Sequence, residues 1–303
     1  RAAHAISNTA RSLKANLSVV GVPKTMDNDI LWMWQSFGFL SAVEKAREII
    51  EHLGTEVRSN PRLCVLQLFG SDSGFVVSHA VLASPTGLCD AALIPEVDFS
   101  MEGLARWMKK QMHDRYKRIP HGLIVMAETA IPTDALKYVD FKPEDAEVFD
   151  VGLTQNEKDN IRKYVTLRDC KWHIEGQTSD DLRTAGLKIV SKGLPMLLPR
   201  VDAMLGDAVM PDWNSMRVFT NEPRHILRAI RPSCSDVIIG HRLGTLAVDN
   251  AIAGYSDFMI SQWLTEYVLI PLQLVVLGRK RIPPKGIFWT SVRAKTGQPV
   301  SMV

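Results

Sequence analysis

Short, continuous runs of apolar residues alternate with amphipathic segments along the first part of the chain. The apolar runs predict strands at Leu17–Val22, Leu63–Phe69, Cys89–Ile94 and Gly122–Ala127. Apolar positions at helical spacing between them predict helices at about 40–53, 75–83 and 100–117. Strands that are apolar on both faces and separated by helices are typical of a parallel sheet between helical layers. We therefore predict an α/β fold whose parallel sheets are covered by helices on both faces.

The later part of the chain has a less regular pattern. Residues 131–216 are polar, and they predict only two helices, near 155–166 and 179–193. Strand and helix patterns then return, with a helix at about 237–253 and apolar runs at Phe258–Ile260 and Val268–Val276.

Local signals also predict where the early helices begin and end. Ser41 and Glu44 have the spacing of a capping box, and Gly54 is placed to end the helix that they begin. The opening segment already has a helical pattern at Arg1, with no capping residue before it. We therefore expect the natural chain to begin upstream of Arg1.

Composition excludes several classes of function. The chain has 303 residues, of which 46% are hydrophobic and 23% charged, as in ordinary globular proteins. A net charge of only +3 predicts no nucleic-acid partner and no attraction to an anionic membrane. The four cysteines form no CxxC pair, and the most apolar stretch is far shorter than the roughly 20 residues of a membrane span. We expect a soluble, cytoplasmic protein.

Polar segments follow each of the first four predicted strands. Ligands of open parallel sheets bind beyond the carboxyl ends of the strands, so candidate chemistry belongs in these segments. They are Pro23–Asp29, Gly70–Gly74, Pro95–Asp98 and Glu128.

The first of these segments, PKTMDND, combines a lysine, a hydroxyl group and two carboxylates. Phosphoryl transfer to an alcohol needs a carboxylate to accept the hydroxyl proton and cations to hold the phosphate charge. Asp27 could be that base, with Lys24 and Thr25 on the phosphoryl group. The same residues also suit a turn rich in aspartate and asparagine, which is common between a strand and a helix. By itself, the segment leaves both interpretations open.

The segment resembles the signature GVPKT-x-DND of the phosphofructokinase family, from Gly21 to Asp29. The resemblance implies that Asp27 is the catalytic base and that Thr25 contacts the transferring phosphate. It also implies that Asp29 lies beside the metal and the donor phosphates.

Further motifs of the family follow in order along the chain. The segment FGSDSG, with Phe69, Gly70 and Ser71, is similar to the family segment that contains MGR-x-SG. The segment LIPEVDF is similar to its IPE-V-F segment, which implies that Glu96 binds sugar hydroxyls. For the 6-phosphate of the sugar, the resemblance implies three residues: Arg62, His225 and Arg228. RLGTLAVDNAIAGYSDF and the closing TGQP are similar too. The resemblance is good over 17–128 and 217–299 and weak between them.

The resemblance implies a two-lobed phosphofructokinase-like fold and phosphoryl transfer from ATP or pyrophosphate to the 1-hydroxyl of fructose 6-phosphate, with Mg²⁺ as cofactor. Residues 1–38 and 229–276 would build the donor lobe, and residues 39–228 and 277–303 the sugar lobe. In this family some phosphate-binding arginines come from a neighbouring subunit. Arg62 could therefore serve the site of a partner, in a homodimer or a homotetramer.

The sequence also departs from the family pattern. The donor-binding loop with the main Mg²⁺ ligand is expected upstream of Arg1, so we expect the 303 residues alone to have little or no activity. Ser71 stands where the family usually has the arginine of MGR, and Thr129 stands where it often has glycine. These changes leave open a non-catalytic homologue that binds sugar phosphate. A kinase that acts on NAD or lipids is a weaker alternative, and the choice between ATP and pyrophosphate stays open.

Overall fold

Two units make up the fold, and each is built from two stretches of the chain. The computed structural model describes residues 1–115, 120–140, 149–169, 180–202 and 216–303. Unit 1 comprises Arg1–Lys45 and Leu227–Arg281, and unit 2 comprises Ala46–Ile226 and Ile282–Val303. These boundaries lie a few residues from the ones that we predicted for the two lobes. What each unit binds stays a prediction.

Strands and helices alternate along most of the described chain. The strands are β1 (Val20–Gly21), β2 (Leu63–Leu68), β3 (Ala91–Leu93), β4 (Gly122–Ala127), β5 (Val218–Asn221), β6 (Phe258–Trp263) and β7 (Glu266–Pro271). The helices are α1 (Ala2–Ser12), α2 (Phe39–Ser59), α3 (Phe75–Ala83), α4 (Met101–Arg115), α5 (Ala135–Val139), α6 (Gln155–Asp169), α7 (Asp180–Lys188), α8 (Leu194–Leu197), α9 (Arg224–Arg228), α10 (Cys234–Ile252), α11 (Leu272–Val275) and α12 (Ile287–Thr296).

The sheet of unit 2 is parallel throughout, with the strand order β3-β4-β2-β5. Both central strands, β2 and β4, are buried at every residue, which explains their continuous apolar sequences. The predicted strand Gly122–Ala127 has the bounds of β4, and the predicted helix 75–83 has those of α3. The predicted end of the next helix, at 117, lies outside the described residues.

The sheet of unit 1 differs from our prediction in the direction of one strand. β1 pairs with β6 in parallel, whereas β6 and β7 form an antiparallel hairpin. The predicted run Val268–Val276 divides at Pro271, where β7 ends and α11 begins. Pro271 is the N-cap of α11, and a proline has no N–H to continue the pairing of a sheet.

The first turn of α2 is bound by a carboxylate from the distant helix α10. Asp236 is fully buried and accepts hydrogen bonds from the backbone N–H groups of Gly38 (2.9 Å) and Ser41 (3.0 Å). The Ser41 hydroxyl also donates to Asp236. The predicted cap at Ser41 was therefore wrong: the helix begins at Phe39, and a residue far away in sequence binds its free N–H groups.

The glycine that we expected to end this helix lies inside it. The α2 helix continues through Gly54 to Ser59. A Cβ atom at Gly54 would lie 2.2 Å from Cδ1 of the buried residue Leu88. Gly54 is therefore needed for close packing and does not terminate the helix.

The described part of 131–216 is helical rather than irregular. It contains α5 to α8, and the predicted helix near 179–193 ends as α7 at Lys188. A π-helical turn, Ile189–Gly193, then leads into α8. Apolar residues on α6 and α7, among them Ile161 and Leu182, are buried.

None of the helices in the described residues has the length and apolar character that crossing a membrane requires.

The packing at Gly54 gives a stability prediction. Gly54→Ala should lower the free energy of unfolding by roughly 1–3 kcal/mol, because the new methyl group overlaps Leu88. This is opposite to the usual gain from alanine in a helix. Equilibrium denaturation would measure the change.

Two controls separate packing from helix propensity. A Cβ atom at Gly244, on α10, would have no neighbouring atom within 4 Å, so Gly244→Ala should not destabilise the protein. In a Leu88→Ala background the cost of Gly54→Ala should largely disappear. Equal costs in both backgrounds would contradict the packing explanation.

Candidate functional site

The loop after β1 carries the predicted catalytic residues of unit 1. The backbone N–H of Asp27 donates to Oγ1 of Thr25 at 3.1 Å. Asn28 has a left-handed backbone (φ 55°), and its buried Oδ1 accepts from the N–H of Ser36 at 3.0 Å. Asparagine tolerates this conformation better than most residues, which gives the central residue of the DND sequence a structural role. Lys24 is exposed at the start of the loop.

A second segment of unit 1, which the sequence analysis missed, binds this loop. Nη1 of Arg279 donates to Oδ2 of the buried residue Asp29 at 2.9 Å. The backbone N–H of Lys280 donates to the carbonyl oxygen of Asp29 at 2.7 Å, and Ile30 forms an antiparallel bridge with Arg279. The basic run Arg279–Arg281 was the only signal in the sequence. It did not indicate the contact, because the two segments are far apart along the chain.

The side chain of Lys280 is bound on the other side of the same loop. Its Nζ donates to the carbonyl oxygens of Met33 at 2.8 Å and Trp34 at 3.2 Å. Burial lowers the pKa of Lys280 to about 8, and the negative charge of Asp29 opposes that shift. Arg279 and Lys280 therefore add two cationic side chains to the loop.

The surroundings of Asp27 act on its pKa in opposite directions, and the net effect is to raise it. Burial raises the pKa of Asp27, and the neighbouring carboxylate of Asp29 raises it further. A hydrogen bond with the Thr25 side chain and the positive charges of Arg279 and Lys24 lower the pKa. A carboxylate whose pKa is raised within a cationic environment is suited to accept a proton.

In unit 2, the loop after β2 has a tight conformation at the carboxyl edge of the sheet. The N–H of Ser73 donates to the carbonyl oxygen of Gly70 at 2.8 Å. A Cβ atom at Gly70 would lie 2.4 Å from the carbonyl oxygen of Ser73, so only glycine fits there. Ser71 has a left-handed backbone (φ 50°), and its N–H donates to Oε1 of Glu128 at 2.7 Å. Glu128 thus connects the ends of β2 and β4.

Glu96 lies after β3 and accepts hydrogen bonds from the backbone of two segments. Its Oε1 accepts from the N–H of Gly74 at 3.1 Å and from the N–H of Ile282 at 3.3 Å. It therefore fixes the end of the Gly70–Gly74 loop in unit 2. A role in binding sugar hydroxyls stays a prediction.

Arg62 lies at the opposite end of β2 from Phe69, Gly70 and Ser71. The strand has six residues, so its ends are roughly 20 Å apart. The guanidinium group of Arg62 pairs with Glu56 and stacks over the ring of Phe219 at 4.4 Å. Unit 2 therefore brings Ser71, Glu96 and Glu128 to one edge of the sheet and leaves Arg62 away from them.

The predicted phosphate-binding pair lies on the short helix α9. His225 and Arg228 are exposed and three residues apart, which places them on one face of the helix. The neighbouring residue Arg224 pairs with Asp180 at 3.4 Å and lies 6.0 Å from the ring centre of Phe69. Arg224 thus connects the start of α9 to the carboxyl edge of the sheet.

Comparison with known proteins assigns the chain to a family. The family model for phosphofructokinase matches residues 1–251. This chain belongs to the phosphofructokinase family. It is 31% identical over 305 residues to the ATP-dependent 6-phosphofructokinase of Borreliella burgdorferi, covering 96% of this chain and 56% of that protein. It is 29% identical to ATP-dependent 6-phosphofructokinase 5, chloroplastic, of Arabidopsis thaliana, covering 98% of this chain and 47% of that protein.

Solved phosphofructokinases have the same fold. The pyrophosphate-dependent phosphofructokinase of Marinobacter aquaeolei superimposes with a TM-score of 0.61 at 18% identity, covering 93% of this chain and 58% of that one. The phosphofructokinase of Saccharomyces cerevisiae gives a TM-score of 0.56 at 16% identity, covering 96% of this chain and 30% of that one. The predicted phosphofructokinase-like α/β fold is confirmed. The chain spans about half the length of the curated relatives that it matches.

The contact between Arg279 and Asp29 gives a prediction about the pKa of Asp27. Arg279→Gln should raise that pKa, because it removes a positive charge that lowers it. Arg279→Lys should have a smaller effect, because it keeps the charge without the planar guanidinium group. Carboxyl-carbon NMR over a pH titration measures the pKa without any substrate.

Arg242 provides the matched control in the same unit. It is exposed and lies 5.6 Å from the ring centre of Tyr267. Arg242→Gln should leave the pKa of Asp27 unchanged. An equal shift in both glutamine variants would show that a general change in charge, and not the contact with the loop, is responsible.

Proposed function

We propose that the protein is a 6-phosphofructokinase, which transfers a phosphoryl group from ATP or pyrophosphate to the 1-hydroxyl of fructose 6-phosphate. The observation that carries the proposal is the partly buried carboxylate of Asp27 among Thr25, Lys24 and Arg279. Membership of the phosphofructokinase family supports the substrate class. The relatives include proteins named as ATP-dependent and as pyrophosphate-dependent, so we leave the donor open.

Asp27 would act as the general base in this reaction. Its carboxylate would accept the proton of the sugar hydroxyl as that oxygen attacks the phosphorus atom, and the bond to the leaving phosphate would break. Lys24 and Thr25 would position the phosphoryl group. Because Asp29 is bound by Arg279, its charge is partly balanced and raises the pKa of Asp27 less than a free carboxylate would.

Magnesium would be the cofactor in this proposal. The described residues contain no group of three or more histidine, cysteine, aspartate or glutamate side chains arranged to hold a metal ion. Mg²⁺ commonly binds to one or two carboxylates together with substrate phosphates and water. Asp29 fits such a partial site, because its carboxylate is fixed and next to Asp27. When bound, the ion would neutralise charge on the donor phosphates.

Fructose 6-phosphate would bind to residues at the carboxyl edge of the sheet in unit 2 and to residues on helix α9. Glu96 would bind sugar hydroxyls, and His225 and Arg228 would bind the 6-phosphate through charge-assisted hydrogen bonds. Arg62 lies at the other end of β2, so we expect it to serve a neighbouring copy in a homodimer or homotetramer. The cytoplasmic setting also stays a prediction from the sequence.

A non-catalytic homologue that binds sugar phosphate is the second candidate. Ser71 favours it, because the family usually has a cation at this position that balances the transferring phosphoryl group. The loss of such a group commonly costs several kcal/mol of transition-state stabilisation. Calorimetry distinguishes the two: binding of fructose 6-phosphate without any fructose 1,6-bisphosphate, with ATP or pyrophosphate present, would favour the second candidate.

The first test of the proposal is Asp27→Asn in the whole protein. Turnover of fructose 6-phosphate should fall by about 10²–10⁴-fold, since the amide cannot accept the proton. The melting temperature should rise, because the carboxylate is destabilised by burial and an amide carries no charge to desolvate. Folding raises the pKa of Asp27, so the ionised carboxylate destabilises the folded protein. This destabilisation is fully present at a pH above the pKa of Asp27 in the folded protein, and it disappears at a pH below its pKa in the unfolded chain.

Asp249→Asn is the control, because this residue is an exposed carboxylate on α10 of the same unit. It should change neither turnover nor the melting temperature. Full turnover by the Asp27→Asn variant would rule out Asp27 as the base.

The second test concerns the phosphate-binding pair on α9. His225→Ala and Arg228→Ala should each raise the KM for fructose 6-phosphate by roughly tenfold, because each removes a hydrogen-bond donor to phosphate. Steady-state kinetics would show a much smaller change in kcat, since binding is lost equally in the ground state and the transition state. Arg231→Ala, an exposed residue just beyond this helix, is the control. An unchanged KM in both variants would contradict the assigned role.

A further inference from the structure

The two positions of unit 2 that depart from the family pattern contact each other. Oγ1 of Thr129 donates to the carbonyl oxygen of Ser71 at 2.5 Å, while the N–H of Ser71 donates to Glu128 at 2.7 Å. A glycine at 129 could not make the first bond. The backbone C=O and N–H of Ser71 are therefore both bound by residues that directly follow β4, Thr129 and Glu128.

A guanidinium group from a different element lies at this same edge. Arg183 of α7 is 7% exposed, and its Nη1 lies 3.9 Å from Oε2 of Glu128 and 2.9 Å from Oδ1 of Asp180. Both ion pairs involve Nη1. The Nε atom is buried and has no hydrogen-bond partner among the described residues. A buried donor without an acceptor is costly, so it is rare in folded proteins.

The position of Arg183 is fixed by packing and by its backbone. Nε2 of the buried residue Gln67, on β2, donates to the carbonyl oxygen of Arg183 at 3.1 Å. One turn later, a Cβ atom at Gly186 would lie 2.7 Å from Cδ1 of Ile131, which follows β4. The α7 helix therefore packs closely against the carboxyl ends of the two central strands, which fixes the backbone position of Arg183.

A second arginine reaches the same carboxylate from α9. Arg224 lies 3.4 Å from Oδ1 of Asp180, the oxygen that also pairs with Arg183. Arg224 directly precedes His225 in the chain. Asp180 is exposed, so it neutralises the two guanidinium groups only weakly. Two arginines thus pair with Asp180, and one of them, Arg183, also pairs with Glu128, which binds the N–H of Ser71.

We propose that Arg183 binds the phosphate of fructose 6-phosphate through the Nε edge of its guanidinium, and so supplies from α7 a cation at an edge of the sheet where Ser71 carries none. The proposal rests on the proposed function for the identity of the substrate. Glu128 and Asp180 hold Nη1, which leaves the Nε edge for phosphate oxygens. Two parallel N–H···O bonds to such an anion are the preferred geometry of arginine. Phosphate would then satisfy the buried Nε donor.

The test uses Arg183→Lys and Arg183→Gln in the whole protein, with calorimetry of fructose 6-phosphate and of inorganic phosphate. Arg183→Gln should weaken binding of both ligands by at least about tenfold. Arg183→Lys keeps the positive charge beside Glu128 but lacks the planar fork, so it should fold normally and still bind clearly more weakly than the wild type. Thermal melting of each variant shows whether lost binding reflects lost folding.

Arg162→Gln is the matched control, because Arg162 is an exposed arginine on the adjacent helix α6 that pairs with Asp140 and Asp159. It should bind both ligands as the wild type does.

Wild-type affinity in Arg183→Lys would overturn the proposal and show that Arg183 only forms structural ion pairs. Turnover of fructose 6-phosphate by the wild type would still support the proposed function in that case. Binding of phosphate that depends on Arg183, without binding or turnover of fructose 6-phosphate, would keep the proposal and overturn the proposed function. If the wild type binds neither ligand, both are wrong.

Discussion

The ion pair between Arg279 and Asp29 is the interaction on which the arrangement of the Asp27 loop in unit 1 depends. It joins the end of the unit's second stretch to the loop after β1, and a backbone hydrogen bond from Lys280 strengthens the connection. Asp27 and Asp29 lie close together in a partly buried loop, where two carboxylates repel each other. The guanidinium group offsets that repulsion, because its positive charge lowers the pKa of Asp27.

Carboxylates also fix the loops elsewhere in the molecule, by accepting backbone N–H groups. Asp236 binds the first turn of α2, Glu128 binds the Ser71 loop, and Glu96 binds both Gly74 and Ile282. Each bond of this kind is charge-assisted and so is stronger than a bond to a neutral acceptor. Loops held in this way can keep special backbone conformations, such as the left-handed one at Ser71. At Glu128, which is buried, the negative charge is also paired with the guanidinium group of Arg183.

Much of the fold could be predicted from the sequence because its signals are local. The strands β2 and β4 are buried on both faces, and such burial produces an uninterrupted run of apolar residues in the sequence. The polar segments after the strands could be located by the general rule for parallel sheets. The passage of α2 through Gly54 could not be predicted, because it depends on packing against Leu88, which is distant along the chain. The antiparallel hairpin of β6 and β7 is a local feature that our prediction missed.

The sequence by itself determined the class of fold, the order of the motifs and the residue types near Asp27, because these follow from periodicity and from short segments. Only the tertiary structure decided which cations stand beside which carboxylates. Arg279 reaches Asp29 across 250 residues, and Arg183 lies near Glu128 although it belongs to the segment that looked least informative. Ion pairs depend on distances of a few ångströms in space, and separation along the chain does not reveal them.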